Sequence, residues 1–164
     1  MEDGASQKEK YPKLTKIVCG KLKETFKDKG GVNEYRLFKE NGLISFKADF
    51  SVELSSNTFL FVEVEETQTH PDTNVSKYWM FLEKNKGINI ILIQIFGRGF
   101  TETKNNYRSR LDLCNFIAGK MSEALKERFK YYSKELNKKQ EEYKNNSELI
   151  GDEIISFVNQ SISP

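Results

Sequence analysis

The sequence predicts an α/β fold, a mixed sheet in the element order αβββαβ with helices on its faces, followed by long C-terminal helices. Three observations predict it. Residues 43–54 (LISFKADFSVEL) and 59–66 (FLFVEVEE) alternate apolar and polar side chains, the period of a half-buried strand. Residues 88–96 (INIILIQIF) are nearly all apolar and follow an amphipathic stretch, as a buried parallel strand reached by a crossover helix does. Beyond residue 105 the apolar residues recur in steps of three and four, the period of a helix.

The elements follow in order. Leu14, Ile17, Val18, Leu22 and Phe26 form one stripe and predict a helix over 11–28, with Pro12 in its first turn and Gly30-Gly31 at its end. Residues 32–39 predict a first strand, and Asn41-Gly42 a hairpin turn into the second. In the second strand Ile44, Phe46, Ala48, Phe50, Val52 and Leu54 are expected on one face, without a break. Ser55-Ser56-Asn57 turns the chain into the third strand. A helix is expected over 74–85, capped by Asp72 or Thr73 and with Val75, Tyr78, Trp79 and Leu82 in the core. Residues 107–136 predict one long amphipathic helix or two stacked ones, and 148–159 a last short helix. Residues 11–104 are read as the α/β core and 105–164 as a helical C-terminal extension.

At 164 residues the chain is read as one domain carrying that extension. A net charge of +2 does not by itself indicate a nucleic-acid binder, although lysines crowd the first thirty residues. Cys19 and Cys114 lie apart in apolar company and are expected buried and reduced, which suits the cytoplasm. The charged N-terminus lacks the apolar core of a signal peptide. The longest apolar run is too short to span a bilayer, so no membrane partner is expected.

Chemistry is concentrated on the second and third strands. Pairing their apolar faces brings Asp49 opposite Glu63 and Lys47 opposite Glu65. Like charges across a sheet are destabilising, and a divalent cation is the simplest reason to gather them. Phe59 and Phe61 share the face of Glu63 and Glu65 and need a helix to cover them, which argues against a merely solvated acidic face. With this order, an acid on the second strand and Glu63-Val64-Glu65 on the third, residues 11–97 resemble the PD-(D/E)xK nuclease superfamily, with its restriction endonuclease-like core. The resemblance implies that Asp49 and Glu63 bind a metal, with Glu24 of the first helix as an added ligand; Glu65 is expected as a second-metal ligand or as the base for the attacking water. Magnesium is the implied cofactor, with manganese as substitute. The family's lysine falls at Glu65, an ExE variant of the motif, and Lys77 or Lys47 is expected to supply the displaced ammonium. Gln68 is a further polar candidate, and His70 is expected in a loop or capping role.

The function so implied is a magnesium-dependent endonuclease hydrolysing DNA phosphodiester bonds, of restriction, defence or mobile-element type. DNA is the expected partner, with RNA open as an alternative, and the C-terminal helices are expected to form a homodimer. The rival is a catalytically inactive nuclease-like module that binds nucleic acid or protein. A third class is a helical oligomerisation protein in which the sheet is scaffold.

Overall fold

A computed structural model describes residues 13–37, 46–66, 70–101 and 107–163. The first helix, α1, covers Leu14–Thr25, and a short 3-10 turn, Lys27–Lys29, follows it. Strands β1 (Val32–Arg36), β2 (Lys47–Ser55) and β3 (Thr58–Glu65) come next, then α2 (Pro71–Lys84) and β4 (Asn89–Phe96). The chain continues through α3 (Arg98–Thr101), α4 (Tyr107–Leu125), β5 (Phe129–Glu135), α5 (Gln140–Asn145) and α6 (Ser147–Ile162). The protein is thus α/β, and its first six elements run in the order αβββαβ.

The five strands lie in sequence order in one mixed sheet. β1–β2 and β2–β3 are antiparallel, while β3–β4 and β4–β5 are parallel. The two parallel pairs are made by crossovers through α2 and α4, which therefore lie on the same side of the sheet. On that side Val75, Tyr78 and Leu82 of α2 and Leu111, Cys114, Ala118 and Met121 of α4 pack over Phe61, Ile90, Leu92 and Phe129. On the other, Leu14, Val18 and Leu22 of α1 and Ile150, Ile154 and Val158 of α6 pack over Phe50, Val52, Leu60, Val62 and Val64. Each such side chain, once fully buried, contributes about 1.5–3 kcal/mol. Both cysteines are free and buried.

Four expectations are corrected. The helix expected through residue 136 ends at Leu125; Lys126 turns the chain with a φ of 50°, and β5 follows against β4. Arg128, at that turn, donates to the carbonyls of Leu82 (2.8 Å) and Asn85 (3.0 Å), satisfying the C-terminal end of α2. The second helix begins at Pro71 rather than 74, so Asp72 and Thr73 lie in its first turn and His70 takes the cap position without a side-chain bond. Trp79, expected in the core, is 38% exposed.

The fourth correction bears on the site. Strand β2 does not keep one apolar face: Ala48 belongs to the α2 side, and Phe50 and Val52 to the α1 side. The strand rolls over at Asp49. Its register places Glu34 of β1 opposite this residue, and Glu34 has a φ of 52°, the left-handed region. The register of β2 with β3 runs from Ser55↔Thr58 to Phe50↔Val62 and stops short of Asp49. Residues 38–45, with the expected Asn41-Gly42 turn, lie outside the described residues. Among the described residues no helix is long and apolar enough to cross a membrane.

Candidate active site

The end of β3 carries two acids into the layer beneath α2. Alternation puts Leu60, Val62 and Val64 toward α1, and Phe61, Glu63 and Glu65 toward α2. Phe61 is covered as its apolar character requires, with the Tyr78 ring tilted against it at 5.0 Å and the Phe81 ring edge-on at 5.9 Å. Beyond it Glu63 is 2% exposed and Glu65 fully buried. Two carboxyl groups at such depth are costly unless bonded.

Glu63 is met by two neighbours on α2. Lys77 Nζ lies 2.8 Å from its Oε1, and the Tyr78 hydroxyl donates to the same oxygen. Lys77 is itself buried, and its ammonium also donates to the backbone carbonyl of Lys47 (2.5 Å) and to Asn74 Oδ1 (2.9 Å). That carbonyl belongs to the part of β2 that has rolled away, so the ammonium bridges the gap between the diverging strands. Asp49 closes the gap from the other side: Val64 N–H donates to its Oδ2 at 2.7 Å. Glu65 Oε1 accepts from Asn74 Nδ2 (2.9 Å) and Gln94 Nε2 (2.8 Å), while its Oε2 is buried with no hydrogen-bond partner among the described residues. The Gln94 amide is oriented from β5, because the Tyr131 hydroxyl donates to Gln94 Oε1 at 2.8 Å.

Burial dominates the protonation of the acids. It pushes Glu63 up to about 8, with Lys77 pulling the other way and Asp49 adding to the rise. Burial likewise pushes Glu65 up to about 7, opposed by the bonds from Asn74 and Gln94. Asp49 is raised by burial and lowered by the Val64 N–H and by Lys77. Glu63 and Glu65, facing the Lys77 ammonium, thus hold protons near neutrality that a divalent cation can replace.

The structure brings together Asp49, Glu63, Glu65 and Lys77. It does not bring in Lys47, whose side chain is exposed and paired with Glu34 at 3.2 Å; only its carbonyl reaches Lys77. The strand rolls before the expected Lys47–Glu65 pairing can form. Glu24 is exposed on the α1 side, lining a surface depression with Lys16, Lys21 and Glu148. Gln68 lies outside the described residues. Sequence reasoning missed Asn74 and Gln94. Gln94 left a trace, as a polar residue inside an otherwise apolar strand. Asn74 left one too, one helical turn before Lys77.

Oxygen-only donors suit a hard cation, and the unpaired Oε2 of Glu65 is an acceptor awaiting a partner. Glu63 Oε1 is occupied by Lys77 and Tyr78, and among the described residues no group of three or more His, Cys, Asp and Glu is arranged to hold a metal. The donor chemistry fits a divalent ion, and Lys77 Nζ already rests on Glu63 Oε1 at 2.8 Å.

The residue after Glu65 serves the opposite side of the sheet. Glu66 accepts the Leu14 N–H at 2.8 Å, and the Thr15 N–H and hydroxyl at 3.4 and 3.3 Å, closing the first turn of α1. No family model, curated protein or solved structure matches the chain.

Proposed function

We propose that the protein is a metal-dependent endonuclease with a restriction endonuclease-like core, hydrolysing phosphodiester bonds of DNA. The observation that carries this reading is the buried Lys77 ammonium, set against Glu63 where β2 and β3 part at Asp49. Structural ion pairs do not need two further carboxyl groups beside them, one with an unpaired oxygen. A nuclease site needs both an ammonium and several carboxylates.

Asp49, Glu63 and Glu65 would hold a magnesium ion, which when bound would lower the pKa of an attacking water and offset charge on the phosphate. The chain's own groups have separable roles. Lys77 supplies the ammonium that the ExE motif lacks and faces the phosphate side. Glu65 Oε2 would serve either as a ligand to the ion or, where the ion rests on Asp49 and Glu63 alone, as the base for the attacking water. Asn74 and Gln94 fix its orientation through Oε1 and leave Oε2 for the reaction.

Supercoiled plasmid incubated with magnesium or manganese tests the reading. Cleavage is expected from the native protein and none from Asp49→Ala or Glu63→Ala. Variants that cut as well as the native protein would sink the assignment. A second reading, an inactive nuclease-like binding module, is favoured by the depth of Glu63 and Glu65 and by the contact that Lys77 makes with Glu63. Calorimetry separates the two: an intact fold that takes up neither magnesium nor manganese supports the binding module.

A further inference from the structure

Helix α1 buries Leu14, Val18 and Leu22 and turns the opposite side to solvent. Along that outer side run Lys16, Gly20, Lys23 and Lys27, in steps of four, three and four. At about 100° per residue these positions share one line on the helix and its following turn. All four are exposed. The contrast with Lys21, a quarter-turn away, is informative. Lys21 faces α6 and is neutralised by Glu148 and by Asp152 at 3.1 Å. Among the described residues no acid pairs with Lys16, Lys23 or Lys27. The single acid of α1, Glu24, flanks the line, sharing with Lys16 and Lys21 the depression beside α6, and makes no ion pair with it among the described residues. The chain has nearly as many acids as bases, so a one-signed line with like charges four apart is a feature the helix carries at a cost.

Gly20 is the second observation. Glycine in the middle of a helix is unfavourable, and packing often explains it. Here a Cβ would meet nothing within 4 Å, and the residue is exposed. No part of the fold requires this glycine. Its effect is to leave bare backbone at the centre of the lysine line, where another surface can approach closely.

We propose that this ridge, Lys16–Gly20–Lys23–Lys27, docks the phosphate backbone of a nucleic-acid duplex, on the side of the sheet opposite to Glu63 and Glu65. It spans roughly 16 Å, over which one strand of B-form DNA presents about five phosphates. The apolar side chains of α1 are all turned into the core, so the ridge has nothing to insert into a bilayer. A line one side chain wide also suits a strand of phosphates better than a lipid surface. The ridge binds whether or not the carboxylates cleave, so it stands or falls separately from the proposed hydrolysis.

The test is fluorescence anisotropy with a labelled duplex of about 30 base pairs, titrated at several salt concentrations in EDTA. The native protein is expected to bind with salt-dependent affinity. The Lys16→Gln, Lys23→Gln, Lys27→Gln triple variant should lower the slope of log K against log salt by about 2.7, at about 0.9 for each phosphate no longer neutralised. A control triple with the same loss of charge, Lys120→Gln, Lys126→Gln and Lys130→Gln, should leave the slope near native. Gly20→Leu should weaken binding several-fold with the slope unchanged, and should melt no lower than the native protein. An unchanged slope in the first triple, an equal loss in the control, or native binding by Gly20→Leu overturns the proposal. So does binding to phosphatidylserine–phosphatidylcholine vesicles with none to the duplex.

Discussion

At the residue scale the site is governed by how deep its acids lie. A carboxyl whose pKa is higher in the folded state than in the unfolded chain stabilises the fold below its ordinary pKa. That stability is lost as the pH rises through the folded value. Glu63 and Glu65 are both of this kind, rising from 4.5 to about 8 and about 7. The charged groups facing them are Asp49 and Lys77, with Tyr78 against Glu63. Urea denaturation of the metal-free protein is therefore expected to show greatest stability near pH 5 and a progressive loss of several kcal/mol by pH 8. Glu63→Gln, which cannot ionise, should flatten most of that slope; a native profile that rises toward pH 8 contradicts it. Glu63 and Glu65 were legible in the sequence because a period of two fixes the side of each residue on β3, whereas Asp49 lies where β2 departs from that period. Asn74 and Gln94 were not, because their bonds to Glu65 join residues that only the packing of α2 and β4 brings together. Lys47 shows the opposite failure: pairing arithmetic is sound only while the strands stay paired.

At the element scale the strands of the meander are held by close contacts with few alternatives. Gly31 enters β1 against Phe50 and Phe26, whose rings lie 6.1 Å apart. A Cβ on Gly31 would come within 2.7 Å of Phe50 Cζ and 3.2 Å of Phe26 Cβ. Gly31→Ala is therefore expected to destabilise by about 1–3 kcal/mol, as overpacking does. A shift in the urea midpoint with an unchanged m-value would show it. The sequence marks Gly30-Gly31 as a helix stop; Gly30, with a φ of 70°, ends the turn after α1, while the role of Gly31 depends on Phe50 across the sheet. The difficulty of β5 has an equally local cause. Phe129, Tyr132 and Leu136 sit at helical spacing, and the stretch between them is polar enough to pass for a helix face. Its aromatic content favours a strand, and the break at Lys126 involves a left-handed residue that composition does not announce.

At the scale of the whole molecule the parallel half of the sheet depends on its last strand. Residues 105–164 supply β5, which pairs with β4 from Ile90↔Phe129 to Phe96↔Glu135, and α6, which covers the α1 side. A chain ended at residue 104 would leave β4 as an exposed edge and would strip Ile93 and Ile95 of α6. Such a chain is expected to show no cooperative thermal transition by circular dichroism; a sharp transition would show that the first 104 residues fold alone. The αβββαβ order was legible because each element carries its own period. The closing of the sheet by β5 was not, because the helical spacing of Phe129, Tyr132 and Leu136 masks the strand preference of its aromatic residues.

Glu65 and Glu66 are adjacent on the chain yet belong to opposite sides of the sheet, one to the carboxylate cluster and one to the start of α1. A single peptide bond joins the two sides. Were a cation or phosphate to draw Glu65 toward itself, the expected result is an altered grip of Glu66 on the Leu14 and Thr15 amides. The exchange rates of those two protons with deuterated solvent then become a gauge of events at a carboxylate they never touch. That gauge is readable without cleavage, label or substrate turnover.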